Sequence, residues 1–419
     1  MRVPLAALAR KAEAAVVVKL SPFVPVLLAI LSLSAYAQDL PDNELQVNLN
    51  TYFDSFNVQV VYPSVSLTKR LDESSSINVR YLVDLVTAAS IRSQLKADNA
   101  ISRPRRGGER EDDDRESGVD GVTSASGRGE GGYRPDDVRQ EVGFGITRSI
   151  IQGTLSVNAL YSKEFDYRSE TVAGTFSYPF AKKNTTFQLG FVRSWDANFP
   201  KIFDWTKHKN EYTFSATLTQ ILSKRLISQA IFSYDHAHGL LSDPYEVVQI
   251  RQGNEVQNLE PIHPELRIRK AAGWRLNYKA GRQTALHLGF RYYWDDWKIR
   301  SFTTSISLDQ HVNDYSTIGF GVRNYLQGRA FFFKEHYDVP EPLMTVDSKL
   351  DRGYSNELEF KLSLNGGEQF EGVPFLMNEN VQFNMLINLY HRHTATPNWF
   401  SGSRNLFSLI MSFGIRYRF

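Results

Sequence analysis

Apolar and polar residues alternate along most of the chain beyond residue 37, and this period of two is the pattern of β-strands with one apolar face. From Leu286 to Trp294 every second residue is apolar or aromatic, whereas His287 and Arg291 fall between them. The same alternation returns in 354–364 and 380–390. Each of these segments therefore predicts a strand that turns one face to an apolar environment and the other to water.

Strand length and the sorting of the connections favour a membrane barrel over a soluble sandwich, whose strands also alternate. Many runs last about 11–14 residues, which exceeds the roughly 5–6 of soluble strands and suits a tilted membrane crossing. Short connections are predicted near 71–75, 150–152, 181–184, 222–225, 280–283 and 310–315, and long ones near 91–137, 197–208, 237–265, 329–352 and 392–402. Bacterial outer-membrane barrels have short periplasmic turns and long outer loops, so this sorting is the one expected of them.

We therefore predict an all-β fold, a transmembrane antiparallel up-and-down β-barrel over residues 45–419 with about sixteen strands, in a range of about 14–18. Its long polar loop is expected at about 91–137. In the last strand, alternate positions from Leu409 to Tyr417 are apolar, and the chain stops at Phe419. Such an ending resembles the signal read by the outer-membrane assembly machinery. That machinery, outer-membrane lipids and lipopolysaccharide are the expected partners.

The first 37 residues are predicted to be a signal peptide. Basic residues precede an apolar run over 24–33, and Ala35-Tyr36-Ala37 fits the small-x-small rule for cleavage after Ala37. Residues 38–44 would then form a short periplasmic segment. The alternative, an N-terminal membrane anchor, is weaker because Pro22 and Pro25 interrupt a stretch that is already short for a spanning helix. Export to the outer membrane of a Gram-negative bacterium is the expected outcome.

Composition agrees with a barrel and excludes several kinds of site. Aromatic residues make up 13% of the chain, while the mean hydropathy is only −0.35. A barrel has this profile because a polar lumen offsets an apolar lipid face. The net charge of +2 gives no bias toward nucleic acid, and the absence of cysteine excludes disulfides, Cys-ligated metals and a lipidated N-terminal cysteine.

No cofactor or catalytic site is predicted, because the chain has no G-x-S-x-G, H-E-x-x-H or P-loop motif. The charged stretch 103–116 is interpreted as a solvated outer loop, with a cation-binding loop as the alternative. The pairs His236 with His238 and His391 with His393 each share one strand face. They are interpreted as rim side chains, with a metal site as the alternative.

Charged residues on the polar faces are predicted to line the lumen, because a charge on the lipid face would cost about 2–4 kcal/mol at mid-bilayer. They would set the field for a polar or anionic solute, or they would neutralise one another and brace the wall. The selectivity candidates are Arg193, Arg275, Lys279, Arg291, Lys298, Arg300, Glu357, Glu359 and Lys361, and Glu164 is expected to point inward with them.

Five stretches in the middle of the chain resemble the bacterial family known as domain of unknown function 3570. They are YSKEFDYRS at 161–169, KNTTF at 183–187, QILSKR at 220–225, LSDPYEV at 241–247 and FRYYWDDWKIRS at 290–301. DLVTAAS at 84–90 is similar to another element of the family, and VDGVTSAS at 119–126 echoes it. The resemblance, from about 57 to about 332, implies an exported outer-membrane-type barrel and brings no established activity.

The family-like motifs also have a physical interpretation. Asp243 and Pro244 carry turn chemistry, because Asp caps its own backbone and Pro fixes φ, and Tyr245 follows them in an outer loop. In 292–297, Asp295 and Asp296 are expected to mark an exposed turn between interfacial aromatics that include Trp297. A further set, Lys163, Glu164 and Asp166 with Arg168, is expected to form an ion-pair cluster at the rim.

Three functions are consistent with these patterns. The leading hypothesis is a monomeric or trimeric porin-like channel or binder for small polar solutes, with the lumen charges as the selectivity element. The second is a non-conducting barrel that docks a periplasmic or surface partner while loops such as 91–137 and 237–265 close the pore. The third is a barrel hydrolase, for which no motif argues.

Overall fold

A computed structural model describes residues 40, 43–88, 105–106, 124–125, 137–200, 203–252, 255–399 and 401–419. The predicted signal peptide and most of the polar loop at 91–137 lie outside these residues. Sixteen of the described strands form a closed antiparallel barrel. Each of these strands pairs with the barrel strands that come before and after it in the sequence. The predicted fold class and the predicted count of about sixteen strands are both confirmed.

The barrel strands are β1 (Glu44–Asp54), β2 (Val58–Arg70), β3 (Ser75–Ala88), β6 (Asp137–Ile150), β7 (Gly153–Lys163), β8 (Tyr167–Phe180), β9 (Thr185–Asn198), β10 (Lys207–Ser223), β11 (Leu226–Gly239), β14 (Leu266–Lys279), β15 (Thr284–Asp295), β16 (Arg300–His311), β17 (Ser316–Gln327), β18 (Gly353–Asn365), β19 (Val381–Thr394) and β20 (Asn405–Arg418). Two short two-stranded sheets lie outside the barrel wall: β4 (Arg105–Arg106) with β5 (Ser124–Ala125), and β12 (Val248–Gln252) with β13 (Glu255–Leu259). Short 3₁₀ helices span Ser348–Leu350, Glu368–Phe370 and Pro374–Leu376.

The first and last strands close the barrel. They pair from Glu44 with Arg418 to Asp54 with Ser408, so neither strand is left as an open edge. Closure matters because no water is available in a bilayer to satisfy an unpaired backbone group. The alternating residues of 409–417 thus belong to the strand that seals the wall.

The two faces of the wall differ in chemistry. Large apolar side chains are exposed on the outside, as at Trp274, Phe290 and Phe320, the last of which is 59% exposed. Residues next to them in sequence point inward, as Arg275 does beside Trp274 and Arg291 beside Phe290. An apolar outer band around a polar interior is the arrangement of a transmembrane barrel.

Connections at the two ends of the barrel differ in length. At one end, here called the turn end, the connections are 71–74, 151–152, 181–184, 224–225, 280–283, 312–315 and the longer 366–380. At the other, the loop end, lie 89–136, 199–206, 240–265, 328–352 and 395–404, together with three tight connections at 55–57, 164–166 and 296–299. The predicted sorting is confirmed, except that the loop end also contains these tight connections.

Among the residues that the structure describes, no helix has the length and apolar character needed to cross a membrane.

Candidate functional site

Two long connections at the loop end, 240–265 and 328–352, pack against each other, and together they are called the cap. Ile262 and Met344 exchange backbone hydrogen bonds of 2.8 and 2.9 Å, and Ile250 forms a bridge with Tyr337. Val248 joins Ile250, Tyr337 and Met344 in a small buried core. The cap is therefore held by its own hydrophobic core as well as by backbone pairing.

A buried glutamate links the two parts of the cap. Glu246 is 1% exposed, and its Oε1 accepts hydrogen bonds from Thr345 Oγ1 at 2.8 Å and from Val346 N at 2.6 Å. Burial, reinforced by the carboxylate of Asp347, raises the pKa of Glu246 to about 8. Its Oε2 lies 4.0 Å from Nε2 of His263. The link between the loops thus depends on a carboxyl group that is easier to bury neutral.

Trp297 anchors the cap to the barrel. It is 2% exposed in a cluster with Ile299, Phe332 and Leu350, and its Nε1 donates to the carbonyl of Leu266 at 3.0 Å. The expectation that Trp297 lies among interfacial aromatics is wrong. The 328–352 loop folds over the tight 296–299 connection and buries the indole.

The two aspartates of that connection have different environments. Asp296 is exposed, as predicted, and its Oδ1 accepts from Ile268 N at 2.9 Å. The side chain of Asp295 is fully buried, which contradicts the expected exposed turn. Its Oδ2 accepts from Arg267 Nη2 at 2.8 Å and from the Tyr293 hydroxyl at 2.7 Å. Charge pairing with Arg267 explains why this carboxylate can leave solvent.

The DPY motif forms the predicted turn and then reaches into the barrel. Asp243 Oδ1 accepts from Tyr245 N at 2.9 Å, the self-capping geometry expected for Asp before Pro244. Tyr245 is 2% exposed, and its hydroxyl donates to Asp166. The motif therefore ties the cap to the 164–166 connection.

The predicted rim ion-pair cluster is divided between the two faces, which corrects that expectation. Lys163 and Arg168 are exposed, and Arg168 lies 3.8 Å from Glu170. Glu164 and Asp166 are each 3% exposed, and Glu164 Oε1 lies 3.7 Å from Nε of Arg139. The two acidic residues are therefore buried while the two basic residues are exposed to the surroundings.

A network of buried charges lines the inner wall beneath the cap. Lys209 Nζ lies 3.1 Å from both Asp196 Oδ2 and Glu211 Oε2. Nη1 of Arg269 lies 3.5 Å from Glu211 Oε1 and 3.5 Å from Asp235 Oδ1. These alternating signs offset much of the cost of burying each charge.

A cavity of about 430 Å³ lies between the cap and this wall. Asp243, His263, Asp347 and Lys349 reach it from the cap, and residues of nine strands form its sides. The basic residues that point inward on the wall are Lys209, Arg267, Arg269, Arg291 and Arg392, and the acidic ones are Glu211 and Asp235. The volume falls in the range of small-molecule sites, and the wall carries more basic than acidic groups.

Most of the predicted lumen residues lie on the inward face. In the lower lumen, Arg323 Nε lies 2.9 Å from Glu357 Oε2, and Lys361 Nζ lies 2.6 Å from Glu359 Oε1. Arg275 and Arg291 line inner cavities. Lys279 has the inward register but is exposed at the turn end.

Three predicted lumen residues do not point inward. Arg193 shares the outward face with exposed Phe191, and its guanidinium carbon lies 3.7 Å from the ring centroid of Tyr212. Arg300 shares the outward face with exposed Phe302. Lys298 occupies the tight 296–299 connection, with a φ of 65°, and its Nζ lies 5.7 Å from the ring centroid of Phe331. Near the loop end, a long basic side chain on the outer face can place its charge in polar surroundings. The free-energy cost of a charge at mid-bilayer therefore does not apply to it.

The family model described as "Protein of unknown function (DUF3570)" matches residues 27–201 and 191–372, which together cover most of the chain. The chain belongs to this family. The stretches from 161–169 to 290–301 all fall inside the matched ranges, so the predicted family is confirmed. No curated protein matches the chain.

Among solved structures, this DUF3570 chain is similar to a bacterial polysaccharide outer membrane secretin, at 7% identity and a TM-score of 0.49, over 91% of this chain and 100% of that one. It is similar to the siderophore receptor PirA from Pseudomonas aeruginosa, at 9% identity and a TM-score of 0.42, over 90% and 81%. It is also similar to OmpT of Vibrio cholerae, at 8% identity and a TM-score of 0.41, over 92% and 100%.

Both histidine pairs of the DUF3570 barrel take part in aromatic contacts. His391 stacks on Phe407 with centroids 4.6 Å apart, and His393 stacks on Tyr354 at 5.2 Å. His236 packs edge-on against Tyr212. In the part of the chain that the structure describes, no three His, Cys, Asp or Glu residues come together as a metal site. The interpretation of these pairs as rim side chains agrees with their aromatic neighbours.

Proposed function

We propose that this protein resides in the bacterial outer membrane and binds or passes small polar solutes through its lumen. The turn end would face the periplasm and the cap the exterior, as short and long connections do in such barrels. Residues 1–37 would direct export, and lipids with lipopolysaccharide would contact the aromatic outer face. The observation that supports this proposal is the charged cavity beneath the cap, which lies inside the barrel and not on its lipid-facing surface.

The wall charges supply the selectivity. Lys209, Arg267 and Arg269 each lie within 3.5 Å of at least one carboxylate, and Arg291 and Arg392 add positive charge to the same cavity. A hydrated, net basic constriction favours anions over cations of the same size. We therefore propose an anion preference for the channel.

Planar-bilayer recording tests this proposal with protein extracted from outer membranes. We expect discrete openings whose chloride-to-potassium permeability ratio exceeds one and falls in Arg392→Gln. Arg300→Gln, which removes the same charge from the outward face, is the matched control and should leave the ratio unchanged. Equal ratios in all three proteins would contradict the assignment of the lumen charges.

The cap favours a second candidate, a non-conducting barrel that docks a partner. The two loops of the cap have their own hydrophobic core and are anchored by Trp297, so they offer a folded surface on which a partner could dock. A folded protein that shows no openings, and that begins to conduct when residues 328–352 are replaced by a short Gly-Ser linker, would favour this candidate. A wild-type channel that conducts would exclude it.

A further inference from the structure

The outward face of six neighbouring strands, β9, β10, β11, β14, β15 and β16, has basic residues and no acidic ones. The structure describes every residue of these strands, and their acidic residues all have the inward register: Asp196, Glu211, Asp235, Asp295 and Asp309. The lysine and arginine residues with the outward register are Arg193, Lys270 and Arg300, and each lies near the loop end of its strand. These three side chains, with Phe290, Tyr292, Trp294 and Phe302, are here called the outer strip.

Strand register places two of these cations on either side of one indole. Lys270 on β14 pairs with Trp294 on β15, and Trp294 pairs in turn with Arg300 on β16. The three residues therefore form a row across the wall, and the Cα atoms of the two cations are separated by two strand spacings, or about 10 Å. Both side chains are long and flexible, so their charges can converge on one group that lies over the indole.

Neither cation of this row has a partner within the protein. In the part of the chain that the structure describes, the Lys270 ammonium and the Arg300 guanidinium make no ion pair and no side-chain hydrogen bond. Asp296, the exposed acidic residue of the adjoining connection, accepts a hydrogen bond from a backbone N–H at 2.9 Å. Inward cations of the same wall are paired, as Arg267 is with Asp295 at 2.8 Å. The row thus carries positive charge that the wall does not neutralise.

An aromatic surface adjoins the row on its mid-wall side. Tyr292 stacks on Trp294 with ring centroids 5.4 Å apart, and it contacts Phe302 at 4.8 Å. Phe302 and Phe290 are both exposed on the outside, with centroids 6.3 Å apart. Trp and Tyr are favoured where hydrocarbon meets a polar layer. A ligand that fits both parts of the strip therefore has anionic groups next to the loop end and hydrocarbon chains next to the middle of the wall, as an anionic lipid has.

Arg193 adds a third positive charge to the strip. It lies three strand spacings from Lys270, or about 14 Å across the wall. Its Nη2 donates to Asn210 Oδ1 at 3.2 Å, whereas its Nη1 has no hydrogen-bond partner among the described residues. The positive charge of the strip is therefore divided between two separate places. A lipid with one phosphodiester neutralises one of them, whereas a lipid with several phosphates on a wide headgroup neutralises both.

We propose that the outer strip binds the phosphate groups of lipopolysaccharide, with Lys270 and Arg300 holding one of them. Guanidinium and ammonium groups form strong, charge-assisted hydrogen bonds with phosphate oxygens. The acyl chains of the lipid lie along Phe290 and Phe302, below the phosphate. This inference rests on the proposed function and deepens it, because the strip reaches lipopolysaccharide only if the cap faces the exterior of an outer membrane.

Native mass spectrometry of the full barrel in detergent measures lipid binding without requiring conduction. The probes are diphosphoryl lipid A, the same lipid A with its phosphates removed, and phosphatidylglycerol. We expect diphosphoryl lipid A to bind at least about tenfold more tightly than either of the others. Equal affinity for the dephosphorylated form would show that phosphate is not recognised. Equal affinity for phosphatidylglycerol would show attraction to any anionic lipid, and either result overturns the proposal.

Removing the row of cations supplies the second test. The double variant Lys270→Gln, Arg300→Gln should bind diphosphoryl lipid A at least about tenfold more weakly, since charged hydrogen bonds to phosphate are lost. Its matched control is Lys224→Gln, Arg225→Gln, which removes one lysine and one arginine from an exposed connection at the turn end. Equal affinity in the two double variants overturns the assignment of the row.

Heat-modifiable migration on a gel confirms that each variant is folded. If the double variant of the row does not fold, the single variant Arg300→Gln decides, because the Arg300 side chain is exposed and its loss leaves no buried group unpaired. An affinity for diphosphoryl lipid A equal to that of the wild type in this single variant would then overturn the proposal.

The strip and the channel can fail separately. A protein that prefers diphosphoryl lipid A but shows no openings in a planar bilayer keeps the strip and loses the channel. A protein that conducts with the expected anion preference, but binds diphosphoryl and dephosphorylated lipid A equally, keeps the channel and loses the strip.

Discussion

The loop end and the turn end of the barrel share one hydrogen-bonded wall but differ in how they treat charge. At the loop end, Lys209, Glu211 and Asp295 are buried and paired beneath the cap. At the turn end, Asp72 and Lys182 are exposed to solvent in short turns between strands. Buried, paired side chains therefore stabilise the loop end more strongly than the solvated side chains of the tight turns stabilise the turn end. Substitutions at the two ends should differ accordingly in cost.

The largest effect is expected from Lys209→Met. This change leaves Asp196 and Glu211 facing each other without the cation that lies 3.1 Å from both, and breaking a buried pair costs about 3–5 kcal/mol. Urea-dependent folding into lipid vesicles measures the loss. Lys207→Met is the matched control, because Lys207 is exposed and its contact with Glu260 is 4.0 Å long, so its loss should cost no more than about 1 kcal/mol. Equal losses in the two variants would contradict the difference drawn between buried and exposed pairs.

A somewhat smaller effect is expected from Trp297→Ala. Removing a buried aromatic side chain costs about 3–5 kcal/mol in a rigid core, and the lower end applies here because the cap can settle into the space. The loss should appear as faster proteolysis within 328–352, while the barrel itself stays heat-modifiable. Trp297→Phe keeps most of the buried area and should restore much of the protection. Cleavage at the wild-type rate in Trp297→Ala would show that the cap is held by other contacts.

The wall of the barrel could be predicted from the sequence, because lipid imposes a simple rule on every strand. Alternation assigned Arg275, Arg291 and Glu357 to the correct face, and the short runs at 71–75 and 280–283 marked the turns. Arg193 was misassigned although the sequence held the signal. Its parity with Phe191 and Trp195 places it on the outward, aromatic face.

The cap and the buried charges could not be predicted in the same way. Glu246 contacts Thr345 and Val346 across about a hundred residues, and no local pattern encodes such a contact. Lys209 and Glu211 were missed as site residues, although their alternation with exposed Tyr212 indicates the inward face. The sequence pattern predicts which face of the wall these side chains occupy. It does not predict which residues they contact, because those partners come from distant parts of the chain.

A pH-dependent effect of intermediate size is expected from Glu246 in the cap. Its folded pKa of about 8 lies above the ordinary value of about 4.3, so its contribution to cap stability is full below about pH 4.3 and is lost as the pH rises through about 8. Amide hydrogen exchange at Thr345 and Val346, corrected for the intrinsic rate, should therefore quicken from about pH 5 to about pH 9. Glu246→Gln keeps an acceptor for both donors and should make protection independent of pH in this range. The same pH slope in the variant would assign the effect to another group, such as His263.

The smallest effect is expected at the turn end, from Asp72→Ala. Asp72 Oδ1 accepts from Ser74 Oγ at 2.7 Å and from Ser74 N at 2.6 Å, and these hydrogen bonds hold the pKa of Asp72 below its usual range. The side chain lies in water, so we expect a loss of no more than about 1 kcal/mol. Because the pKa is lowered, this contribution is present above the ordinary value near about 3.9 and disappears as the pH falls below it. Vesicle folding at about pH 7 and about pH 3 checks both points, with Asp72→Asn as the variant that keeps an acceptor. A loss as large as that of Lys209→Met would mean that the turn end, too, depends on its side chains.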